Sequence, residues 1–143
     1  MADDDALPDP ARVVIRRRIE WIDTDAAGIY HWTTAFRLVE AAEAAMHTGL
    51  GIAAETFGAT PRVAVSATFT RALRFNDPVD VELAVESIGR SSLVYRWTAT
   101  SDAEPAAEGS LTVAFIDRST GRAVPWPPAI RERLAGGGLC SGA

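Results

Sequence analysis

Residues 19–45 read IEWIDTDAAGIYHWTTAFRLVEAAEAA, and the reading of this stretch decides the fold. Its second half predicts a helix from about Thr33 to His47. Ala35, Leu38, Val39, Ala42, Ala45 and Met46 recur at helical spacing and form a single apolar stripe. Arg37, Glu40, Glu43 and His47 fall on the opposite, solvated side, with His47 one turn beyond Glu43 as a surface pair. Thr33 or Thr34 can cap the start, and Gly49 and Gly51 supply the stop. Because the stripe is rich in alanine, another surface can approach the helix axis closely. Phe36 falls among the polar positions and needs a partner of its own.

Outward from the helix, the period changes to two. Val13, Ile15, Ile19 and Trp21 alternate with Arg16, Arg18 and Glu20, which reads as a first strand with one wet face. After the helix, Val63, Val65, Ala67 and Phe69 alternate with small polar residues. Asn76-Asp77-Pro78 marks a turn, and Val79, Val81, Leu83 and Val85 form the next run. Gly89-Arg90-Ser91-Ser92 turns the chain again, Leu93, Tyr95, Trp97 and Ala99 follow, and Ser101–Pro105 reads as a loop. Leu111, Val113 and Phe115 make the last strand, before a short helix near Ala129–Leu134 with a proline at its first turn. The expected fold is α+β: one long helix packed on a five-stranded antiparallel sheet in β-α-β-β-β-β order, the last four strands as a meander. Residues 1–10 are expected to be a flexible acidic arm, 11–135 the folded domain, and 136–143 a flexible glycine-rich tail. A sheet of this kind leaves open edges, and pairing two sheets edge to edge removes them, so a homo-oligomer is expected.

Composition narrows the function classes. The chain has 143 residues, 48% hydrophobic and 23% charged, as in an ordinary globular domain. All fourteen basic residues are arginine, and the net charge of −5 argues against a protein that coats nucleic acid. No apolar run approaches the ~20 residues needed to span a bilayer, and the acidic start MADDDALPDP does not resemble a secretory signal. A cytoplasmic location is expected. The single cysteine, Cys140, excludes an internal disulfide framework and a cysteine-rich zinc site. No HExxH, CxxC or Walker loop occurs, so no metal site is expected.

Asp23-Thr24-Asp25-Ala26-Ala27-Gly28 leads, through Ile29, Tyr30, His31 and Trp32, directly into the helix. A carboxylate beside a helix N-terminus faces unpaired N–H groups and the positive end of the helix dipole. Such N–H groups can hold a developing oxyanion, while the carboxylate attacks or hydrates an acyl carbon. Gly28 permits close backbone approach. The same residues can equally do no more than shape the loop and cap the helix.

The loop and helix, read together, resemble the active-site segment of the 4-hydroxybenzoyl-CoA thioesterase-like family of hotdog-fold acyl-CoA thioesterases. TPRVAVSATFTRALRFNDPVDVEL resembles that family's second and third strands, and IGRSSLVYRW its third-to-fourth strand turn, so the resemblance covers about Arg12–Val124. It implies that Asp25 is the catalytic carboxylate, as nucleophile or general base. It implies that the backbone N–H of Trp32 polarises the thioester oxygen. Asp23 matches a loop-shaping position, and Glu40 matches a helix acid that can reach the far end of the acyl group. Gly28, His31, Phe36, Glu40, Thr60, Pro61 and Val63 are the implied substrate-binding positions. Arg62, Arg90, Ser91 and Ser92 are the implied CoA-binding positions, with Arg71 and Arg74 as further candidates, since arginine suits phosphate. A related branch carries a histidine at the place of Trp32, one residue after His31.

The resemblance implies an acyl-CoA thioesterase acting on an aryl or medium acyl group. It implies no cofactor beyond the CoA of the substrate, and a homodimer that pairs into a dimer of dimers. The alternatives are a thioesterase acting on acyl carrier protein and a non-catalytic acyl-CoA-binding protein.

Overall fold

A computed structural model describes residues 6–142. The chain forms β1 (Arg12–Arg18), α1 (Trp32–Gly49), α2 (Ala53–Thr56), β2 (Arg62–Phe69), β3 (Pro78–Ile88), β4 (Ser92–Ser101), β5 (Glu104–Ala114), α3 (Pro128–Gly136) and β6 (Leu139–Cys140). A 3-10 turn at Trp21–Asp23 joins β1 to the loop before α1. The sheet has six strands in the order β2-β5-β4-β3-β1-β6.

The expected sheet, loop and termini are corrected here. The sheet is mixed, because β6 pairs in parallel with the start of β1. That strand lies in the expected tail, whose glycines conceal the Leu139–Cys140 pairing. Only β3, β4 and β5 form a meander. β2 lies beyond β5 at the edge, and β3 turns its other side to β1. Ser101–Pro105 is no loop: Asp102 and Ala103 take positive φ angles, 51° and 64°, and so close a two-residue hairpin. The expected acidic arm is tied down from Asp9 on, where Asp9 N–H donates to Ala135 O and Gly138 N–H donates to Asp9 O. Residues 1–5 of that arm lie outside the described residues.

Helix α1 lays Ala35, Leu38, Val39, Ala42 and Met46 on the sheet, all buried. Cross-strand register aligns the facing side chains in rows. One row runs Val13, Leu83, Trp97, Gly109, Ala67, and the next runs Ile15, Val81, Ala99, Ala107, Phe69. Gly109 explains itself in the first row. A Cβ there would overlap the Ser66 carbonyl of β2 and stand 2.9 Å from Trp97 Nε1. The bare backbone lets the indole lie across β5. Gly109→Ala is therefore expected to cost about 1–3 kcal/mol, visible as a lower denaturant midpoint.

Two residues of α1 depart from their expected setting. Glu43 and His47 are buried, not solvated. The cause is β2, where a bulge between Arg62 and Ala64 turns Arg62 to the helix side. Arg62 contacts Glu43 at 2.6 and 3.1 Å and Glu40 at 3.4 Å. Below it, His47 Nδ1 lies 2.6 Å from Thr56 Oγ1 and Nε2 lies 2.6 Å from the Tyr95 hydroxyl. Burial, reinforced by the Arg62 charge, pushes the His47 pKa down to about 4.

Candidate active site

The loop before α1 is built by two aspartates with different duties. Asp23 is buried. Its carboxylate accepts the Glu20 N–H at 2.8 Å and an Arg37 N–H at 2.7 Å. Its carbonyl accepts the His31 N–H at 2.6 Å. Asp23 therefore ties the loop to the helix and has no oxygen to spare. Asp25 is exposed. Its Oδ1 accepts the Ala27 N–H at 2.8 Å, and its backbone closes the loop through Ile29 and Gly28. Gly28 sits at φ 78°, where a side chain is strained. The second carboxylate oxygen of Asp25 has no hydrogen bond among the described residues.

Trp32 is the first residue of α1, so its N–H has no helical carbonyl to reach. Among the described residues it donates to no loop carbonyl either. The cap is His31 rather than the expected Thr33 or Thr34: its Nδ1 accepts the Thr33 N–H at 3.2 Å. Asp25 and Trp32 line one cavity of about 450 Å³ with Ile29, Tyr30, Phe69, Thr70, Arg71 and Ala72. His31 lines a different groove, which it shares with Asp23, Asp25 and Arg37.

A second, tighter cavity of about 120 Å³ lies between α1 and the sheet, lined by Phe36, Val39, Glu40, Arg62, Val65, Trp97 and Leu111. Phe36, expected to need a partner, finds it here. It also meets Trp32, which lines the Asp25 cavity, edge to face at 5.9 Å. Thr60, Pro61 and Arg62 line a third cavity with Glu40, Glu43 and Phe57, and Val63 lies exposed at the bulge.

The remaining expected positions are not brought together in one chain. Arg90, Ser91 and Ser92 sit at the β3–β4 turn, at the end of the sheet opposite Asp25, where Arg90 lines a groove with Leu7 and Arg131. The Arg62 guanidinium is held by Glu43 and Glu40 instead of standing free for phosphate. Of the further candidates, Arg71 lines the Asp25 cavity, and Arg74 lies against Gly28. Tyr30, Phe69 and Trp97 carry more of the cavity walls than their sequence positions suggest. The alternation of β2 places Phe69 on the same face as Val65, but the approach of Trp97 depends on strand register. Among the described residues, no group of three or more His, Cys, Asp or Glu could hold a metal ion. Among the same residues, no helix is long and apolar enough to cross a membrane.

Asp25, with an open carboxylate oxygen, and Trp32, whose backbone N–H is unpaired among the described residues, thus line one cavity. The N–H can polarise a carbonyl, and the carboxylate can attack its carbon or take a proton from water. The family model described as Thioesterase-like superfamily matches residues 18–134. The chain belongs to that superfamily. It is a thioester hydrolase by that membership, which is broader than the 4-hydroxybenzoyl-CoA branch the loop resembles.

Solved structures agree on the fold. A thioesterase from Thermus thermophilus, complexed with coenzyme A and zinc, is 25% identical. The alignment covers 85% of this chain and 90% of that one, with a TM-score of 0.78. A gentisyl-coenzyme A thioesterase is 23% identical over 86% of this chain and 99% of its own, with a TM-score of 0.76. A 1,4-dihydroxy-2-naphthoyl-CoA thioesterase from Synechocystis is 15% identical over 86% and 95%, with a TM-score of 0.78. No curated protein matches the chain.

Proposed function

We propose that the thioester hydrolase is an acyl-CoA thioesterase in which Asp25 and the Trp32 N–H act on the same carbonyl. The observation that carries this reading is their shared cavity, with one Asp25 oxygen and the Trp32 N–H both uncommitted. The thioester oxygen takes the Trp32 N–H, at the positive end of an 18-residue helix. Asp25 then attacks the carbonyl carbon, or removes a proton from the water that does. If Asp25 attacks, CoA leaves as thiolate and water then cleaves the acyl–Asp25 anhydride. If Asp25 activates water, the tetrahedral intermediate expels the CoA thiolate directly. Both routes consume one water and release the free acid. Neither step calls on a metal or redox cofactor. The acyl group is aryl or of medium length, running from Trp32 past Phe36 towards Glu40.

The assembly we propose is a homodimer formed through β2. Its outer edge is unpaired, and Val63, Val65 and Phe69 are exposed along it. Such an edge is a template for a second strand. Antiparallel pairing of two β2 strands would put the Arg90 end of one chain beside the Asp25 end of the other, so CoA phosphates could reach Arg90, Ser91 and Ser92. Dimers would then pair into a tetramer. Val63→Asp is expected to yield a monomer by light scattering and to lower thioesterase rate; a dimer of unchanged strength would contradict the β2 interface.

Thiol release from one acyl group carried either on CoA or on acyl carrier protein tests the carrier. The reading expects the CoA ester to be cleaved with the higher kcat/KM. Cleavage of the carrier-protein ester alone would replace it with the alternative.

A further inference from the structure

Arg62 reaches from β2 to two carboxylates of α1 that hold it unequally. Its guanidinium lies 2.6 and 3.1 Å from the two carboxylate oxygens of Glu43, and 3.4 Å from Glu40. The Glu43 side chain is 7% exposed and also hydrogen-bonds the Tyr95 hydroxyl, which lies 2.6 Å from His47 Nε2. The Glu40 side chain is 71% exposed. The guanidinium is therefore pinned from its buried side, and the rotamer freedom of a long side chain is already lost. A buried ion pair adds little stability over an apolar pair of similar volume, so stability does not explain why charge stands here. Arg62 and Glu40 line both the inner cavity of about 120 Å³ and the outer cavity of about 450 Å³. The other lining residues of the inner cavity, Phe36, Val39, Val65, Trp97 and Leu111, are all hydrophobic. An apolar chamber thus has one charged wall, shared with the chamber beyond it.

We propose that Arg62, held by Glu43, is the end wall of the acyl site and sets the longest acyl chain that is accepted, its contact with Glu40 closing the inner cavity off from the outer one. The inference rests on the acyl-CoA reading above, in which the acyl group runs past Phe36 towards Glu40, and adds the residue that stops it. An alkyl end that enters the inner cavity gains by leaving water, by about fourfold in affinity per methylene. At Arg62 the gain ends. Further entry separates the guanidinium from Glu40 and sets hydrocarbon against charge that has lost its water. A void of about 150 Å³ holds one benzene ring, so the inner cavity holds about five carbon atoms. In this role Arg62 acts on the acyl end of the substrate and not on the CoA phosphates.

The probes are straight-chain saturated acyl-CoAs from butanoyl to hexadecanoyl, read by thiol release. Arg62→Ala alone would leave Glu43 buried and charged without its partner, so the variant combines Arg62→Ala with Glu43→Gln. In wild type kcat/KM is expected to rise with chain length to an optimum and then fall. In the double variant the optimum is expected to move to longer chains. The kcat/KM of the ester four carbons beyond the wild-type optimum, relative to that at the optimum, is expected to rise by about tenfold or more. Glu40→Ala changes an exposed side chain and keeps the Arg62–Glu43 pair; it should raise the same ratio by about 3- to 10-fold, and it carries the test if the double variant does not fold. An unchanged length profile in a folded variant overturns the inference and leaves the acyl-CoA reading standing. An equal loss at every chain length, with weaker inhibition by free CoA, makes Arg62 a CoA contact and overturns it as well. So does a wild type with no upper limit of length, or one that cleaves benzoyl-CoA but no alkyl ester. Release from no CoA ester rejects the reading beneath it.

Discussion

Acidification from pH 7 to pH 4 is expected to remove about 3 kcal/mol of folding stability through His47 alone. The imidazole is 1% exposed and lies between the Tyr95 hydroxyl of β4 and Thr56 of α2, with Phe57 stacked on its face. Glu43 lies one turn earlier on α1, and Arg62 reaches in from β2. Thr56 donates to Ile52 O and lies 2.6 Å from His47 Nδ1, while the Tyr95 hydroxyl lies 2.6 Å from Nε2 and also hydrogen-bonds Glu43, so a singly protonated ring is already partnered at both nitrogens. A second ring proton would be desolvated and would face the Arg62 charge, hence the fall of the pKa from 6.5 to about 4. The unfolded chain therefore takes up a proton below pH 6.5 while the folded chain does not, and stability falls as pH drops from about 6.5 to about 4. It is fully present above that window. Burial holds the Glu43 carboxyl above the usual range, which works in the opposite sense. The His47 part is therefore read as the difference between wild type and His47→Gln in denaturant unfolding between about pH 4 and pH 7.5, with the variant losing less stability on acidification.

Asp25→Asn is expected to lower kcat by about 10²–10⁴-fold, the ordinary contribution of a positioned acid–base or nucleophilic group. The fold should be indifferent to the change. The loop uses Asp25 through its backbone and through Oδ1, which accepts the Ala27 N–H, and the amide oxygen of asparagine can accept the same bond. What asparagine lacks is the negative charge on the uncommitted second oxygen. The contrast with Asp23 is sharp: both of its oxygens are bound, one to Arg37, so Asp23→Asn should show as lost stability.

Local chemistry made much of this legible. The 3.6-residue stripe from Ala35 to Met46 located α1, and alternation located β1, β2, β3 and β4 to within a few residues. The pairing of a carboxylate with a helix start drew attention to Asp25 and Trp32, which the structure places in one cavity. Long-range information was not legible. Nothing near Leu139 signals that it will pair with Arg12, and nothing in β2 states that its neighbour is β5. His47 and Glu43 read as surface residues because helical periodicity sees only their own helix. Their burial comes from Arg62 and Tyr95, 15 or more residues away in sequence. The role of Gly109 depends on register with Trp97 and Ser66, which no single segment contains.

The central claim is that the cavity of Asp25 and Trp32 hydrolyses acyl-CoA. Its most direct test is free-thiol release from aryl- and alkyl-CoA esters by wild type and Asp25→Asn at equal concentration, with the fold of both checked by thermal unfolding. The account predicts thiol release by wild type and loss of nearly all of it in the equally folded variant. Equal rates from the two proteins would contradict it, leaving Asp25 a loop-forming residue and the chemistry elsewhere.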